Sequence, residues 1–253
     1  MPILYLKLAL TPALIGAVSL AGRWWGPAVS GWLTALPLTS GPVALYLALE
    51  RGEPFAALAS VGTLGGTASV VLYSLAYALV ARRFPWSASV AVAVLTFTAT
   101  TALMRNIPMA PWPAFWAVLG VISLSLWVAP RYSGLPPTAT PGPWDIPARM
   151  ILATTFVVAI TGFSELLGPL LSGLLSPLPI FITILAVFTH RTEGGARAAD
   201  LMRGVVAGSY SFAVFFLITA LLLEDLGWPL AFLIATLASL SVQAASGPLL
   251  RRA

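Results

Sequence analysis

The sequence contains no cysteine and a single histidine, His190, and these two absences exclude several kinds of chemistry. Without cysteine the chain has no disulfides, no thiolate metal sites and no cysteine nucleophile. One histidine leaves too few ligands for a zinc centre or a similar transition-metal site. We therefore expect no metal ion, no cofactor and no catalytic residue that depends on these groups.

Charged residues are also scarce. They make up 8% of the 253 residues, whereas hydrophobic residues make up 59% and the mean hydropathy is +0.95. A soluble domain carries about 25% charged residues. The composition thus predicts an all-α polytopic membrane protein. The net charge of +5 comes from single residues between apolar runs, which form no patch for nucleic acid.

Nine apolar runs are long enough to be membrane spans, separated by proline, glycine and charged residues. They cover residues 3–22, 27–49, 54–81, 85–104, 110–130, 146–167, 169–190, 198–223 and 228–248. The longest polar connection, residues 131–145, is rich in proline and glycine and is typical of an extended linker. We predict three parts: residues 1–104 with spans one to four, residues 105–145 with span five and the linker, and residues 146–253 with spans six to nine.

The first and third parts are predicted to be repeats. A shift of 142 residues lays residues 26–37 on residues 168–179, with seven of twelve identical. The same shift matches further glycines and a tryptophan: Gly52 with Gly194, Gly62 with Gly204, Gly66 with Gly208 and Trp86 with Trp228. Because equivalent spans lie five apart, the second copy would enter the membrane from the opposite side. The fold predicted is two inverted four-helix repeats joined by a linker helix.

The basic residues favour the same topology. With nine spans, ten basic residues fall on one side of the membrane and three fall on the other. The positive-inside rule makes the ten-residue side cytoplasmic. This predicts a bacterial or archaeal inner-membrane protein with its N-terminus outside and its C-terminus in the cytoplasm. The ten are Arg23, Arg82, Arg83, Arg131, Arg149, Arg191, Arg197, Arg203, Arg251 and Arg252, and the three are Lys7, Arg51 and Arg105.

The first repeat, through Ala81, resembles the GlpM family of small bacterial inner-membrane proteins. The likeness is carried by Lys7 in an apolar first helix, the segment Gly31 to Pro37, and Glu50-Arg51-Gly52. It implies that a four-helix protein of roughly half this length was duplicated and that span five was inserted between the copies. The resemblance assigns no catalytic or binding role to any residue.

Prolines interrupt span two at residues 36–42 and span seven at residues 178–183, and the sequence predicts broken helices there. A proline removes one backbone donor and frees the carbonyl four residues earlier, which is costly inside a membrane unless a polar group meets it. One interpretation is a solute site at the midplane. The other is a pair of kinks whose carbonyls are satisfied by neighbouring hydroxyls. The candidate substrate-binding residues are Thr34, Pro37, Thr39, Ser40, Gly41, Pro42, Ser176, Pro179, Phe181 and Thr183.

The two breaks differ in polarity. Thr39, Ser40 and Gly41 offer hydroxyls and a flexible backbone, so we expect that copy to contact the solute. The segment after Pro179 is apolar, and we expect Phe181 to act as a wall or a gate. Lys7 and Arg149 lie at matched positions one turn inside their helices. They predict basic groups at two pathway mouths or, alternatively, side chains that snorkel to the interface.

Small and hydroxyl-bearing residues mark four other spans. The pairs Gly62/Gly66 and Gly204/Gly208 predict close helix packing, with span three on span eight as one arrangement, and a narrow pore wall is the alternative. Spans four and nine carry hydroxyl or amide faces that either line a pathway or bond to their own helix. These faces hold Thr96, Thr98, Thr100, Thr101, Ser239, Ser241 and Gln243. The connection between spans seven and eight is expected to be a solvated turn with local ion pairs, formed by His190, Arg191, Glu193, Arg197, Asp200 and Arg203.

No ionisable residue lies at the centre of a predicted span, so proton coupling through a buried carboxylate is not expected. The sequence favours a transporter or permease for a small solute or amphiphile, acting as a facilitator, a flippase or a sodium-coupled carrier. Its expected partners are the lipid bilayer and that substrate, with self-association left open. An accessory or scaffold subunit of a membrane complex is the alternative. A membrane enzyme is less favoured because no catalytic motif or clustered acid–base set appears.

Overall fold

In a computed structural model, the structure describes residues 2–37, 40–107, 109–130, 144, 146–148, 150–151, 154–155 and 179–247. The regular structure of these residues is α-helical. The helices are α1 (Pro2–Trp25), α2 (Pro27–Thr34), α3 (Ser40–Arg51), α4 (Glu53–Val80), α5 (Trp86–Met104), α6 (Pro111–Val128), α7 (Ile180–Glu193) and α8 (Gly195–Ser246). Helices α4, α5, α6 and α8 are long and apolar enough to cross a membrane. The described part of the chain is therefore all-helical, and its apolar helices indicate that the protein is embedded in a membrane.

The helix bounds follow the predicted spans wherever both are described. Helices α4, α5 and α6 begin and end within two residues of spans three, four and five. The predicted span two is divided into α2 and α3, as its prolines indicate. Residues 156–178, which hold about half of predicted spans six and seven, lie outside the described residues, so the count of nine spans stays a prediction.

Two glycines make the same sharp turn between consecutive helices. Gly52 (φ 89°, ψ 161°) joins α3 to α4, and Gly194 (φ 93°, ψ 167°) joins α7 to α8. A side chain with a Cβ rarely adopts this backbone conformation. The two positions are 142 residues apart, so the predicted repeat shift also matches their backbone geometry.

Helix α8 is a hairpin rather than one long rod. Gly227 has a non-helical backbone (φ 73°, ψ 162°) inside it. The hydroxyl of Ser211 donates a hydrogen bond to Oε1 of Gln243, 32 residues away. In a straight helix that separation would span about 48 Å. Residues 195–226 and 228–246 therefore lie side by side, as expected for the separate spans eight and nine.

Helices α4 and α5 form a second hairpin in the same register. The hydroxyl of Thr101 donates to that of Ser69 at 3.0 Å, and both residues match the Gln243–Ser211 pair under the 142-residue shift. The outer helix of each hairpin buries the same positions toward its partner. These are Ser89, Ala93, Phe97 and Thr101 in α5, and Ala231, Ala235, Ser239 and Gln243 in α8.

The centre of the protein is built from α4 and the first arm of α8, which pack against each other. Every residue from 59 to 71 and from 201 to 209 is buried. The outer helices instead expose large apolar side chains, which is expected of surfaces that face lipid tails. Examples are Leu95, Leu103, Trp116, Leu124, Trp127, Leu233 and Leu237.

The solvated turn between spans seven and eight is shorter than predicted, and Arg203 is not part of it. Helix α7 ends at Glu193 and α8 begins at Gly195. Arg197, Asp200 and Arg203, which the sequence assigns to the turn, therefore lie on α8. Arg203 is only 7% exposed, and its Nη1 donates to the carbonyl oxygens of Leu126 (2.7 Å) and Ala129 (3.4 Å). These carbonyls belong to the end of α6, where the helix itself supplies no donors and its dipole favours a cation. Arg203 thus joins the linker helix to the second half of the chain.

Candidate functional site

Both proline breaks start a new helix with the same hydrogen bond. In the first break, α2 ends at Thr34, and the amide of Gly41 donates to the carbonyl of Pro37 at 2.9 Å. In the second, the amide of Thr183 donates to the carbonyl of Pro179 at 2.8 Å. Because these pairs are 142 residues apart, α3 and α7 begin in equivalent ways.

Each of these helix starts meets an aromatic ring from the other half of the chain. The hydroxyl of Tyr73, on α4, lies 2.7 Å from the hydroxyl of Thr183, on α7. The ring of Phe215, on α8, lies 3.4 Å from where a Cβ of Gly41 would stand. Tyr73 and Phe215 are themselves matched by the 142-residue shift. The core helix of each half therefore contacts the break of the other half.

The proton positions at the second break follow from its geometry. The hydroxyl of Thr183 also donates to the carbonyl of Pro179, one turn earlier on its own chain. Since that uses the single proton of the threonine hydroxyl, the Tyr73 hydroxyl is the donor in the contact between the two side chains. Tyr73 is fully buried, so this bond keeps its hydroxyl paired in an apolar setting.

The polarity at the two breaks is distributed differently from what the sequence suggests. The segment predicted to be apolar carries the polar Tyr73–Thr183 pair. The copy with hydroxyls faces a phenylalanine, and Ser40 there is 3% exposed. The structure thus places polar groups at both breaks rather than at one.

The remaining predicted site residues are less directly placed. The hydroxyl of Thr34 bonds to the carbonyl of Ser30 in its own helix at 2.7 Å. Phe181 is half-buried on the first turn of α7. The other predicted positions lie outside the described residues, either wholly or through their side chains: Thr39, Ser176 and Arg149 wholly, and Lys7 and Pro42 through their side chains.

Gln243 satisfies a backbone carbonyl at the first break, a role that the sequence did not suggest. Its Nε2 donates to the carbonyl of Trp32 at 2.8 Å, and its Oε1 accepts from Ser211. The indole of Trp32 in turn donates to the hydroxyl of Ser246 at 2.8 Å. Gln243 is the single glutamine of the sequence and lies in an apolar span. A lone amide in such a helix is the signal that could have identified it as an interhelical partner.

Most hydroxyls of the described helices bond to their own backbone. This holds for the outer helices, where Thr96, Thr100 and Ser241 donate to carbonyls four residues earlier. It also holds along α4 and α8, for Ser60, Thr63, Thr67, Ser74, Ser209 and Thr219. Within the part of the chain that the structure describes, the buried hydroxyls of Ser19 and Ser239 have no hydrogen-bond partner.

The glycine pair of α8 lies against α2. A Cβ on Gly204 would overlap the carbonyl of Ala28, and one on Gly208 would stand 2.6 Å from the Cβ of Ala35. In return, a Cβ on Gly31 of α2 would overlap the carbonyl of Leu201. The two backbones are therefore in direct contact, and the partner of this glycine face is α2 rather than span three. Gly62 and Gly66 are buried on α4.

The described residues contain no group of three histidine, aspartate or glutamate side chains that could hold a metal ion. The groups that meet at the breaks are neutral hydroxyls, aromatic rings and backbone. Such groups can accommodate a neutral or amphiphilic ligand by hydrogen bonding and apolar contact. A comparison of the chain with protein-family models, with curated proteins and with solved structures finds no significant match.

Proposed function

We propose that the chain is a membrane transporter or permease with nine spans, arranged as two inverted repeats around the linker helix α6. The observation that carries this proposal is the exchanged pair of contacts, Tyr73 with Thr183 and Phe215 with Gly41. In transporters of this kind, broken helices near the midplane form the solute site, and the repeats move against one another. A movement between the two halves would change both breaks at once, as alternating access requires.

The chemistry at the breaks supports a small neutral solute or an amphiphile as the substrate. Tyr73, Thr183 and Ser40 supply hydroxyls, and Phe215 supplies an apolar wall. The carboxylate of Glu53 lies at the start of α4, and those of Glu224 and Asp225 lie next to the turn of α8 at Gly227. We therefore propose facilitated, flippase-like or sodium-coupled movement rather than proton coupling through a buried carboxylate.

The proposed setting is the inner membrane of a bacterial or archaeal cell. The arginine distribution supports an orientation with the N-terminus outside and the C-terminus in the cytoplasm. Matched helix bounds, matched glycine turns and the two equivalent hairpin bonds support the repeat arrangement.

A second candidate function is an accessory or scaffold subunit that transports nothing. Gln243 favours it, because its amide already satisfies the carbonyl of Trp32 next to the first break. A break whose polar groups are all paired internally would only bend a helix. The two candidates differ in whether water and solute reach the breaks.

Cysteine accessibility separates these candidates, since the natural chain has no cysteine. In the transporter, S40C and T183C react with a membrane-impermeant maleimide applied from either side of sealed vesicles, because the site opens alternately to each side. The matched control is S60C, a fully buried hydroxyl position on α4 that stays inert. S87C, at an exposed position at the start of α5, reports complete labelling from the cytoplasmic side. Labelling of S40C and T183C as slow as that of S60C from both sides would overturn the transporter in favour of the scaffold.

A further inference from the structure

The turn between α4 and α5 is a basic and aromatic corner of the protein. Residues 82–87 are all exposed, and they include Arg82, Arg83 and Trp86. Phe84 is 56% exposed and Trp86 is 40% exposed. Tryptophan at the end of an apolar helix is typical of the boundary between lipid and water. The corner thus lies where lipid headgroups are expected.

Three contacts fix this turn to the adjoining ends of α7 and α8. The guanidinium carbon of Arg191 lies 6.0 Å from the centre of the Trp86 ring, which is a cation–π contact. Near the end of α4, the hydroxyl of Tyr77 lies 3.3 Å from Nδ1 of His190, the residue before Arg191. The carbonyl of Ala81 packs directly on Gly195, where a Cβ would overlap it. Arg191 is therefore held at the same corner as Arg83, although the two are far apart in sequence.

The matched turn in the second half of the chain has the opposite charge. Under the 142-residue shift, Arg82 and Arg83 correspond to Glu224 and Asp225, while Trp86 corresponds to Trp228. Trp228 is also 40% exposed, and its backbone amide donates to Oε1 of Glu53 at 2.9 Å. The aromatic anchor is thus common to both turns, and the guanidinium groups are specific to one. A ligand of the first turn should accordingly be an anion.

We propose that Arg83, Trp86 and Arg191, together with Arg82, bind the phosphate headgroup of an anionic membrane lipid. Guanidinium groups pair with phosphate through two parallel hydrogen bonds, and stacking on an indole holds one of them in position. The indole and Phe84 supply the apolar contact that the glycerol and acyl region of a lipid requires. This site lies at a helix turn, away from the breaks, and does not depend on the transport proposal.

The test uses the purified full-length protein and counts bound lipid by native mass spectrometry. In detergent micelles that contain phosphatidylglycerol and phosphatidylcholine, the wild type retains phosphatidylglycerol selectively. In the double variant R83Q/R191Q, the affinity for phosphatidylglycerol falls roughly 30-fold, because two basic residues at the membrane surface are lost. R191K keeps the positive charge but not the planar guanidinium group, so its affinity for phosphatidylglycerol lies between those of the wild type and R83Q/R191Q. The control R105Q removes an exposed arginine at the end of α5 and leaves the affinity unchanged.

Thermal unfolding in detergent supplies an independent measurement. Added phosphatidylglycerol raises the melting temperature of the wild type and of R105Q, but not that of R83Q/R191Q, whose substitutions are at exposed positions. Sodium phosphate at millimolar concentration leaves the melting temperature unchanged. Equal phosphatidylglycerol retention by R83Q/R191Q and the wild type would overturn the proposal. So would an equal loss in R105Q, or stabilisation by inorganic phosphate that matches the effect of the lipid.

Discussion

Replacing Gly204 with leucine is expected to prevent the chain from reaching its native packing. The backbone of α8 at Gly204 is in contact with the carbonyl of Ala28 in α2, and even a methyl group would overlap it. Because that atom belongs to the backbone, it cannot swing aside as a flexible side chain would. Overpacking of this kind costs about 1–3 kcal/mol or more when the helices must separate. We expect G204L to give little monodisperse protein in detergent, and G204A to unfold at a lower temperature than the wild type.

Gly120 provides the control for this substitution. It is also a helical glycine, in α6, but it is exposed and nothing stands within 4 Å of where its Cβ would lie. We expect the unfolding free energy of G120L to lie within about 0.5 kcal/mol of the wild-type value. Size-exclusion chromatography and thermal unfolding of the two variants make the comparison. Equal behaviour of G204L and G120L would contradict the direct contact of α2 with α8.

Replacing Arg203 with methionine is expected to release the end of α6. Methionine keeps much of the apolar volume of the stem but cannot donate to the carbonyls of Leu126 and Ala129. Hydrogen bonds from a charged donor contribute about 1.5–3 kcal/mol, and buried carbonyls left without a donor add a penalty. We expect R203M to lower the unfolding free energy by about 2–3 kcal/mol.

Hydrogen exchange gives the local measurement for the same variant. In R203M, the amides of residues 126–129 should exchange faster. The amide of Ala114, which donates to the carbonyl of Ala110 in the first turn of α6, should be protected as in the wild type. R105M, which removes an exposed arginine, is the control and should leave both the stability and the exchange unchanged. Unchanged exchange at residues 126–129 in R203M would show that Arg203 does not hold the helix end.

The features that the sequence predicts well are local. Proline removes a backbone donor wherever it stands, so the division of span two between Thr34 and Ser40 follows from Pro37 without knowledge of the fold. Glycine permits a positive φ in the same way, which makes Gly52 and Gly194 reliable markers of helix starts. The bounds of α4, α5 and α6 follow from apolar length, because the membrane sets it.

The features that the sequence misses are long-range contacts. It identifies Gly41 and Thr183 but not their partners Phe215 and Tyr73, because partners depend on how distant helices cross. Tyr73 and Phe215 correspond under the 142-residue shift, but that correspondence alone does not show what either ring contacts. Gln243 lies among hydroxyl-bearing residues in the sequence, and that pattern does not show that its amide bridges two helices.

Arg203 illustrates a different limit of sequence reasoning. A cluster of charged residues after an apolar run usually indicates a solvated connection, and that rule led to the prediction of a turn. Helix α8 begins at Gly195, so Arg203 lies inside the helix, where its side chain is only 7% exposed. Its charge is accommodated there by the helix end of α6, which no local pattern in the sequence reveals.

The central claim is that the two halves are inverted repeats, and the orientation of matched turns tests it most directly. R83C and D225C are 142 residues apart and lie in equivalent exposed turns. In sealed right-side-out vesicles, we expect an impermeant maleimide to label D225C at once and R83C only after the membrane is permeabilised. Labelling of both positions from the same side would contradict the inverted arrangement and the transport proposal built on it.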